Sequence, residues 1–481
     1  MLTPAASANA ILRWFDQRSL AAIGPALAAL DDRHAVLIAA DAIADAADSE
    51  DETLRNAGLS ALFAGLIEPL NDGFTPAGRA VYARIFGRMV WRIAARQPAL
   101  AQALAGFGVT SEATLLARHA RVRQATAIPA TEPRTVAVLS RVTIGADILL
   151  TSLALQAAHA RWPAARVVLI GDGKLAGLFA GLPQMSVRPL TYARRGPLRD
   201  RLAAWLTLVE ALRAEQADVV IAPDSRLDQL GLLPVCPEAH YLLWENCQPE
   251  GVAVRSLADL FAAWLDQRLG AGRCAGLTPA LALDAPTQAR QRRLAAAFGA
   301  APLCAVKLDH GGNPAKALPR AAEVLMLRRL RELGWRILLD RGFGADELAN
   351  SDALLSALGM TAVDLDDSGK GLGLAVDELL PGCLAPANIL RFHGSIAGWA
   401  AACACCQLAF SYDSVGHHLA AALGVPVVVA FTGFADPDFP VAWQPRGIAP
   451  VTLHAIPTTD KDDPACWQAL ISRLPQPVAS A

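Results

Sequence analysis

Short apolar runs rich in β-branched residues alternate with amphipathic helical stretches from residue 135 onward. The strand-like runs are TVAVLS (135–140), ARVVLIG (165–171), ADVVIAPD (217–224), HYLLWEN (240–246), LCAVKLD (303–309), WRILLD (335–340), NILRFHG (388–394), QLAFSYD (407–413) and VPVVVAFTG (425–433). This alternation is typical of βαβ units, which build parallel sheets covered by helices. The sequence therefore predicts an α/β fold for most of the chain.

A charged helical segment, DAPTQARQRRLAAAFG, divides these runs into two series near residues 283–300. Two successive series joined by one connector predict two doubly wound, Rossmann-like lobes that face each other, at 135–285 and 286–481. Ligands of such sheets bind outside the carboxyl ends of the strands. Functional residues are therefore expected directly after strands.

The first quarter of the chain has a different pattern. Residues 1–125 carry segments of helical period, such as Leu54–Leu70 and Gly78–Arg96, separated by Pro, Gly and Asp. Residues 126–134 are polar and contain proline, which is typical of a linker. The chain of 481 residues is long enough for about three domains. We therefore predict an all-α N-terminal domain and a linker in front of the two lobes.

Hydropathy and charge restrict the possible partners. Hydrophobic residues make up 53% of the chain, largely as alanine, and no stretch approaches the ~18 apolar residues that span a bilayer. The N-terminus, MLTPAASANAILRWFDQR, lacks the basic region of a signal peptide. These features predict a cytoplasmic protein without a transmembrane segment, and leave peripheral contact with the inner membrane open. A net charge of −2 and scattered arginine pairs indicate no nucleic-acid partner.

Several motifs resemble metal or cofactor sites but are interpreted more simply. Cys403, Cys405 and Cys406 lie close together without a histidine at ligand spacing, and are predicted to be buried in a helix. The acidic stretches DLDD (364–367) and DPD (436–438) resemble a metal motif, but such stretches commonly cap turns. We therefore predict no metal site and no cofactor.

The motif SYDSVGHHLAAALGVPVVVAFTG (411–433) carries the strongest functional signal. A strand is predicted to end at Tyr412, and a helix to begin near His417 or His418. Asp413 and Ser414 would then lie between a strand end and a helix N-terminus, whose free amides and dipole favour anions such as a diphosphate. The alternative is that Asp413 or Ser414 only caps the helix.

Two further turns repeat the order of strand, turn and helix. In KLDHGGNPAKALPRAAEVLMLRRL (307–330), Lys316 follows a Gly-rich loop, where a lysine can meet a phosphate. In SRVTIGADILLTSLALQAAHARWP (140–163), Asp147 stands near a helix N-terminus. Its carboxylate either favours the helix dipole or acts as a base that faces a cleft between the lobes.

Segments 136–190 and 300–447 together resemble glycosyltransferase family 9, the ADP-heptose:lipopolysaccharide heptosyltransferases. GADILLTSLALQAAHARWPAARVVLIG is similar to the opening pattern of that family. The loop that ends at Lys316 and the segment HGSIAGWAAACACCQLAFSYDSVGHHLAAALGVPVVVAFTG are similar to its donor-binding blocks, and WQPRG (443–447) also has a counterpart.

The resemblance implies a GT-B fold and an inverting, metal-independent sugar transfer in lipopolysaccharide biosynthesis. By position, Asp147 would deprotonate the acceptor hydroxyl, and Lys316 would neutralise the donor phosphate. The remaining residues implied on the donor side are Asn313 in the lysine loop, Asp346 or Glu347 at the ribose, Asp413 at the sugar, Ser414, Val415 and Gly416 at the diphosphate, and His418 as the motif histidine.

Three functions remain open from the sequence. The first is a glycosyltransferase that uses a nucleotide-diphosphate sugar, ADP-heptose-like as a first hypothesis, with a glycan or protein as acceptor. The second is a non-catalytic GT-B protein that binds a nucleotide sugar or serves as a scaffold. The third is a sugar-nucleotide epimerase, which would need an acid and a base on both sides of the donor sugar.

Overall fold

The computed structural model describes residues 2–124, 132–192, 195–270, 272, 274, 276–311, 313–434 and 436–477. The chain forms two compact units. Unit 1 comprises Met1–Val142, Ala154–Gly173 and Ser186–Ala275, and unit 2 comprises Thr143–Leu153, Lys174–Met185 and Gly276–Ala481. Most of the predicted linker at 126–134 lies outside the described residues. In the described part of the chain, every helix is too short or too polar to cross a membrane.

Unit 1 begins with eight α-helices, and the side chains of Thr3, Asp51 and Thr75 cap the N-termini of three of them. They are α1 (Pro4–Asp16), α2 (Leu20–Ala28), α3 (Ala35–Ala47), α4 (Glu52–Leu62), α5 (Glu68–Asp72), α6 (Pro76–Ala94), α7 (Pro98–Ala105) and α8 (Glu112–Gln124). A π-helical turn, Phe63–Ile67, joins α4 to α5.

The rest of unit 1 is built on a five-stranded sheet. Its strands are β1 (Thr135–Leu139), β2 (Arg166–Gly171), β3 (Met185–Pro189), β4 (Val219–Pro223) and β5 (Tyr241–Trp244), in the order β3-β2-β1-β4-β5. The pairs β1–β2, β1–β4 and β4–β5 are parallel. The direction of winding reverses between β1 and β4, as in a doubly wound sheet.

Five helices follow or connect the strands of the first sheet. They are α9 (Ile144–Ala146), α10 (Ser152–Arg161), α11 (Ala176–Phe179), α12 (Leu198–Ala214) and α13 (Leu257–Leu269). A π-helical turn, Asp147–Thr151, joins α9 to α10. The turn after β1 therefore contains helical structure from Ile144, and Asp147, which was predicted near a helix N-terminus, begins the π-helical turn.

Unit 2 contains an eight-stranded sheet in the order β13-β12-β11-β6-β7-β10-β8-β9. Its strands are β6 (Leu303–Lys307), β7 (Arg336–Asp340), β8 (Val363–Asp366), β9 (Leu374–Ala375), β10 (Ile389–His393), β11 (Leu408–Tyr412), β12 (Val427–Phe431) and β13 (Val451–Ala455). All seven neighbouring pairs are parallel. The winding reverses between β6 and β11.

The helices of unit 2 alternate with these strands. They are α14 (Ala285–Phe298), α15 (Arg320–Glu332), α16 (Ala345–Leu358), α17 (Ile396–Cys403), α18 (Val415–Ala422), α19 (Phe439–Ala442) and α20 (Pro464–Ser472). A core of strand and helix side chains, including Val306, Leu330 and Phe410, lies beneath the sheet.

The predicted α/β class with two parallel, doubly wound sheets is confirmed. The compact units differ from the predicted division in two respects. First, Ile43 and Phe86 of the helical segment share one hydrophobic core with Val168 and Leu243 of the first sheet, so residues 1–142 belong to one unit. Second, three segments of the predicted first lobe belong to unit 2: Thr143–Leu153, Lys174–Met185 and residues 276–285.

Candidate functional site

The corner between β11 and α18 holds Asp413 and Ser414 at the point where the winding of the second sheet reverses. Ser414 is the N-cap of α18: its hydroxyl accepts a hydrogen bond from the Gly416 amide at 3.3 Å, and its own amide donates to Nδ1 of His417 at 3.0 Å. The helix therefore begins at Val415, two or three residues before the predicted start. The capping interpretation is correct for Ser414, and two amides of this corner have partners within the chain.

The loop after β6 brings Lys316 to the same corner. Pro314–Lys316 form a 3₁₀ turn that Asn313 caps through its side chain, which accepts from the Ala315 amide at 3.0 Å. Thr432, after β12, donates its hydroxyl to the Ala315 carbonyl at 2.8 Å. Gly433 lies directly against this loop, because a Cβ added to it would stand 2.8 Å from the backbone nitrogen of Lys316. The end of β12 thus fixes the lysine loop.

Lys316 and Asp413 form an ion pair through Nζ and Oδ2, and Nζ also lies 3.4 Å from the Asp413 carbonyl oxygen. The lysine side chain is 25% exposed, whereas that of Asp413 is 9% exposed. The structure therefore joins the two strongest sequence motifs. Because the Lys316 ammonium keeps access to solvent, it can meet an incoming anion while Asp413 holds it in position.

Lys307 is a buried cation at the end of β6 that the sequence analysis did not select. Its Nζ pairs with Asp340 at the end of β7 and lies 3.9 Å from Oδ2 of Asp309. Burial lowers the pKa of Lys307, but the carboxylates of Asp340 and Asp309 outweigh it, and the net pKa is raised. A lysine at the end of the otherwise apolar run LCAVK was the available signal in the sequence.

Gly416 allows α18 to approach these strands closely. An added Cβ at Gly416 would stand 2.6 Å from the Ser411 hydroxyl oxygen and 2.9 Å from Cδ of Lys307. A larger residue would push the start of α18 away from β6 and β11. Gly416 is therefore required for packing, in addition to the predicted role of its amide.

The turn that carries Asp147 packs against the start of α18 within unit 2. An added Cβ at Gly145 would lie 3.2 Å from Cδ2 of His418 and 3.5 Å from Cα of Val415. Asp147 begins the π-helical turn, is 1% exposed, and accepts a hydrogen bond from the Thr151 hydroxyl at 2.7 Å. The structure therefore brings the Asp147 turn and the motif histidine together.

His418 is buried beside this turn. Its ring centroid lies 3.9 Å from that of His417, and its Nδ1 has no hydrogen-bond partner among the residues that the structure describes. Burial, followed by the charges of His417 and Lys316, holds the pKa of His418 well below its usual value. His418 is therefore neutral at physiological pH, and its packing against Gly145 links α18 to the Asp147 turn.

Asp346 and Glu347 lie in the first turn of α16, after β7. The Glu347 carboxylate accepts hydrogen bonds from the amides of Phe343 and Gly344, the latter at 2.9 Å. Glu347 thus closes a capping box at its own helix, while Asp346 is exposed. Of the two alternatives for the ribose, Asp346 has the less engaged carboxylate.

The motifs that were interpreted as structural have partners within the chain. In DLDD, Asp364 pairs with Arg391, Asp366 accepts from Ser368 and Leu372, and Asp367 pairs with Arg290. Of the three cysteines predicted to be buried in a helix, only Cys403 is, because α17 ends there; Cys406 is buried beyond the helix, and Cys405 is half-buried. Burial raises the pKa of the Cys403 thiol to about 12. Among the described residues, no three His, Cys, Asp or Glu side chains form a group that could hold a metal ion.

No protein-family model and no curated protein matches this chain. Solved structures do. E. coli heptosyltransferase WaaC with ADP is 17% identical, with a TM-score of 0.48, over 70% of this chain and 98% of that chain. E. coli ADP-heptose LPS heptosyltransferase II is 16% identical, with a TM-score of 0.46, over 70% and 99%.

A glycosyl transferase family 9 structure from Veillonella parvula is 16% identical, with a TM-score of 0.48, over 68% of this chain and 86% of that one.

Proposed function

We propose that the protein is an inverting glycosyltransferase that moves a sugar from a nucleotide-diphosphate donor to a glycan or protein acceptor. The observation that carries the proposal is the Lys316–Asp413 ion pair at the reversal point of the second sheet, with the Asp147 turn packed against the same helix. Ligands of doubly wound sheets bind at such points. ADP-heptose is the first donor to test, because of the family resemblance of the motifs.

Inversion at the anomeric carbon needs a base and a stabilised leaving group. The acceptor oxygen attacks the anomeric carbon as the bond to the donor phosphate breaks, and the acceptor proton passes to the Asp147 carboxylate. The nucleoside diphosphate leaves with its negative charge, which the Lys316 ammonium and the positive end of the α18 helix dipole offset. This arrangement needs no metal ion and no cofactor.

Asp413 and His418 have supporting roles in this proposal. Asp413 holds Lys316 and is the carboxylate proposed to contact the donor sugar, while His418 and Gly145 hold α18 against the Asp147 turn. Asn313 shapes the lysine loop, and Asp346 meets the ribose. The acceptor belongs to bacterial surface glycan synthesis if the resemblance to family 9 extends to its substrates.

The test is release of nucleoside diphosphate from ADP-, GDP-, UDP- and dTDP-linked sugars, together with thermal shifts for the same ligands. Asp147→Asn should retain the thermal shift of the preferred donor and lose turnover by about 10²- to 10⁴-fold. Asp172→Asn, the same change in the exposed GDGK turn, is the matched control and should retain turnover. Full turnover by Asp147→Asn would exclude Asp147 as the base.

A non-catalytic nucleotide-sugar-binding protein is the second candidate. Asp147 is 1% exposed and bonded to Thr151, and this environment equally suits a structural carboxylate at a π-helical turn. The same assay separates the candidates, because a binding protein gives thermal shifts with nucleotide sugars but releases no nucleoside diphosphate from any of them.

A further inference from the structure

The loop between β7 and α16 leaves a large aromatic side chain in solvent. Phe343, between Gly342 and Gly344, is 57% exposed. Leaving an aromatic ring in water forgoes the stabilisation that burial gives. A ring that is exposed and also held in one orientation is a candidate binding surface, because binding then costs little ordering entropy.

Three contacts hold the Phe343 ring in place. The Glu347 carboxylate accepts the amides of Phe343 and Gly344, which fixes the backbone on both sides of the ring. Gly342 has a φ of +74°, and an added Cβ there would meet the Glu347 side chain at 2.2 Å, so only glycine fits. The ring itself stacks on His393 with a centroid distance of 6.0 Å and an interplanar angle of 18°.

His393 is a rigid support for this ring. It is fully buried at the end of β10, and its Nδ1 lies 2.9 Å from the Gly342 carbonyl oxygen. A carbonyl only accepts, so Nδ1 carries the proton and donates it. The strand end, the glycine and the aromatic ring are therefore connected by one hydrogen bond and one stacking contact.

A cation already occupies the space over the ring. The ammonium of Lys370 lies 4.7 Å from the Phe343 ring centroid. Lys370 is exposed and follows Gly369, so a planar ligand can displace its ammonium without disturbing a packed element. The cation shows that the ring is accessible to a group arriving from solvent.

The position of Phe343 relative to the Lys316–Asp413 pair follows from the sheet order. Asp413 follows β11, and Phe343 follows β7, with only β6 between these strands. Two strand spacings correspond to about 10 Å along the carboxyl edge. The ribose of a nucleoside diphosphate separates its phosphates from its base by a distance of this order, so one ligand can reach both places.

We propose that Phe343 is the platform on which the base of the nucleotide donor stacks, while Lys316 meets its diphosphate. This inference rests on the proposed function and adds the recognition of the base. Glu347 then acts as a positioning residue for the platform, since its carboxylate is engaged with the loop amides. Loss of a base–aromatic stack corresponds to about a tenfold to hundredfold loss of affinity.

The test is calorimetric titration of the full chain with ADP and, separately, with inorganic pyrophosphate. Phe343→Ala should weaken ADP binding at least about tenfold and leave pyrophosphate binding unchanged, whereas Phe343→Trp should retain ADP binding. Lys316→Ala should weaken both ligands. Leu380→Ala, which removes another exposed apolar side chain, is the matched control and should change neither.

The outcomes separate the two proposals. Equal ADP affinity in wild type and Phe343→Ala would overturn the base platform and leave the proposed function intact. An equal loss for ADP and pyrophosphate, or a loss of ADP binding in Lys370→Ala as large as in Phe343→Ala, would also overturn it. If wild type binds no nucleoside diphosphate, the proposed function fails and the platform fails with it.

Discussion

The two sheets use their reversal points differently. In unit 1, Asp224 after β4 lies between two arginines: Nη2 of Arg79 at 2.6 Å and Nη1 of Arg141 at 3.0 Å, and Arg79 also donates to Asn246. These groups are almost completely buried. In unit 2, the corresponding point holds Lys316 and Asp413, and the lysine side chain is 25% exposed.

The source of Arg79 explains this difference. It belongs to α6, so the helical segment inserts a cation where a doubly wound sheet usually takes a ligand. The same segment contacts the loop after β4 through Tyr82, whose hydroxyl donates to the Gln229 carbonyl at 2.9 Å, and Arg118, whose Nη1 donates to the Gly231 carbonyl at 3.0 Å. Buried ion pairs therefore fill the first reversal point, whereas the second leaves the Lys316 side chain partly exposed to solvent.

The largest expected effect that tests this difference between the sheets comes from removing Arg79, the cation that α6 inserts at the first reversal point. Arg79→Leu leaves Asp224 buried with one arginine fewer, and loss of one partner of a buried pair costs about 3–5 kcal/mol. Urea unfolding, followed by circular dichroism, should show this loss of stability. Arg121→Leu, which removes an exposed pair with Glu238, is the control and should change the unfolding midpoint little.

Unchanged stability in Arg79→Leu would refute the idea that the helical segment stabilises the first reversal point. The variant should also bind nucleoside diphosphate as wild type does, because the proposed donor residues belong to unit 2. If Arg79→Leu also lost nucleoside diphosphate binding, the two reversal points could not have separate roles.

The loop after β4 also predicts a pH dependence. Burial raises the pKa of Asp228 from 3.8 to about 6, against the hydrogen bonds from Tyr241 and the Gly231 amide and the charge of Arg118. The folded state thus favours the protonated Asp228 carboxyl. The stabilisation that this protonation gives to the folded state is lost as pH rises from about 4 to about 6, and the free energy of unfolding falls by roughly 3 kcal/mol.

Unfolding measured across this pH range should show a smaller decrease for Asp228→Asn, which keeps an acceptor for Tyr241 without a charge. Asp218→Asn is a control outside this loop, at a carboxylate that accepts hydrogen bonds from the Arg134 and Thr135 amides. Its unfolding should depend on pH as that of wild type does. Identical profiles for wild type and Asp228→Asn would contradict this assignment of the carboxyl.

The smallest expected effect sharpens the comparison at the second reversal point. Lys316→Ala should weaken nucleoside diphosphate binding about tenfold to a hundredfold, because it removes a charge-assisted contact to phosphate. Stability should change less than in Arg79→Leu, since Lys316 is partly exposed. Lys174→Ala in the exposed GDGK turn is the control. An unchanged affinity would remove Lys316 from the donor site.

The sequence predicted the central strands of both sheets and the edge strand β5, but missed four other strands. All nine strand-like runs became strands, because each is a continuous apolar segment of the kind that a parallel sheet buries. The missed strands are β3, β8, β9 and β13. They lie at or near the sheet edges, where exposed and charged residues interrupt the apolar pattern, as in β3 (Met185–Pro189).

The candidate site was predicted in part. The Asp413–Ser414 corner and the Lys316 loop were identified from their position after strands. Lys307 was missed because a single lysine at the end of an apolar run belongs to no recognisable motif. Its carboxylate partner, Asp340, lies at the end of a different strand of the sheet. The sequence predicted Asp346 or Glu347 at the ribose, but could not show that Glu347 accepts hydrogen bonds from the Phe343 and Gly344 amides, because these bonds depend on the local backbone path.

The sequence by itself determined the order of most strands and helices and the α/β class. It also determined the loop that carries Lys316 and the turn at Asp413–His418, because these features depend on local periodicity and on residues close together in the chain. Only the tertiary structure decided that Lys316 pairs with Asp413, 97 residues away, that the Asp147 turn packs on α18, and that Arg79 occupies the first reversal point. These contacts join distant segments, and sheet order and packing, rather than local pattern, determine which side chains meet.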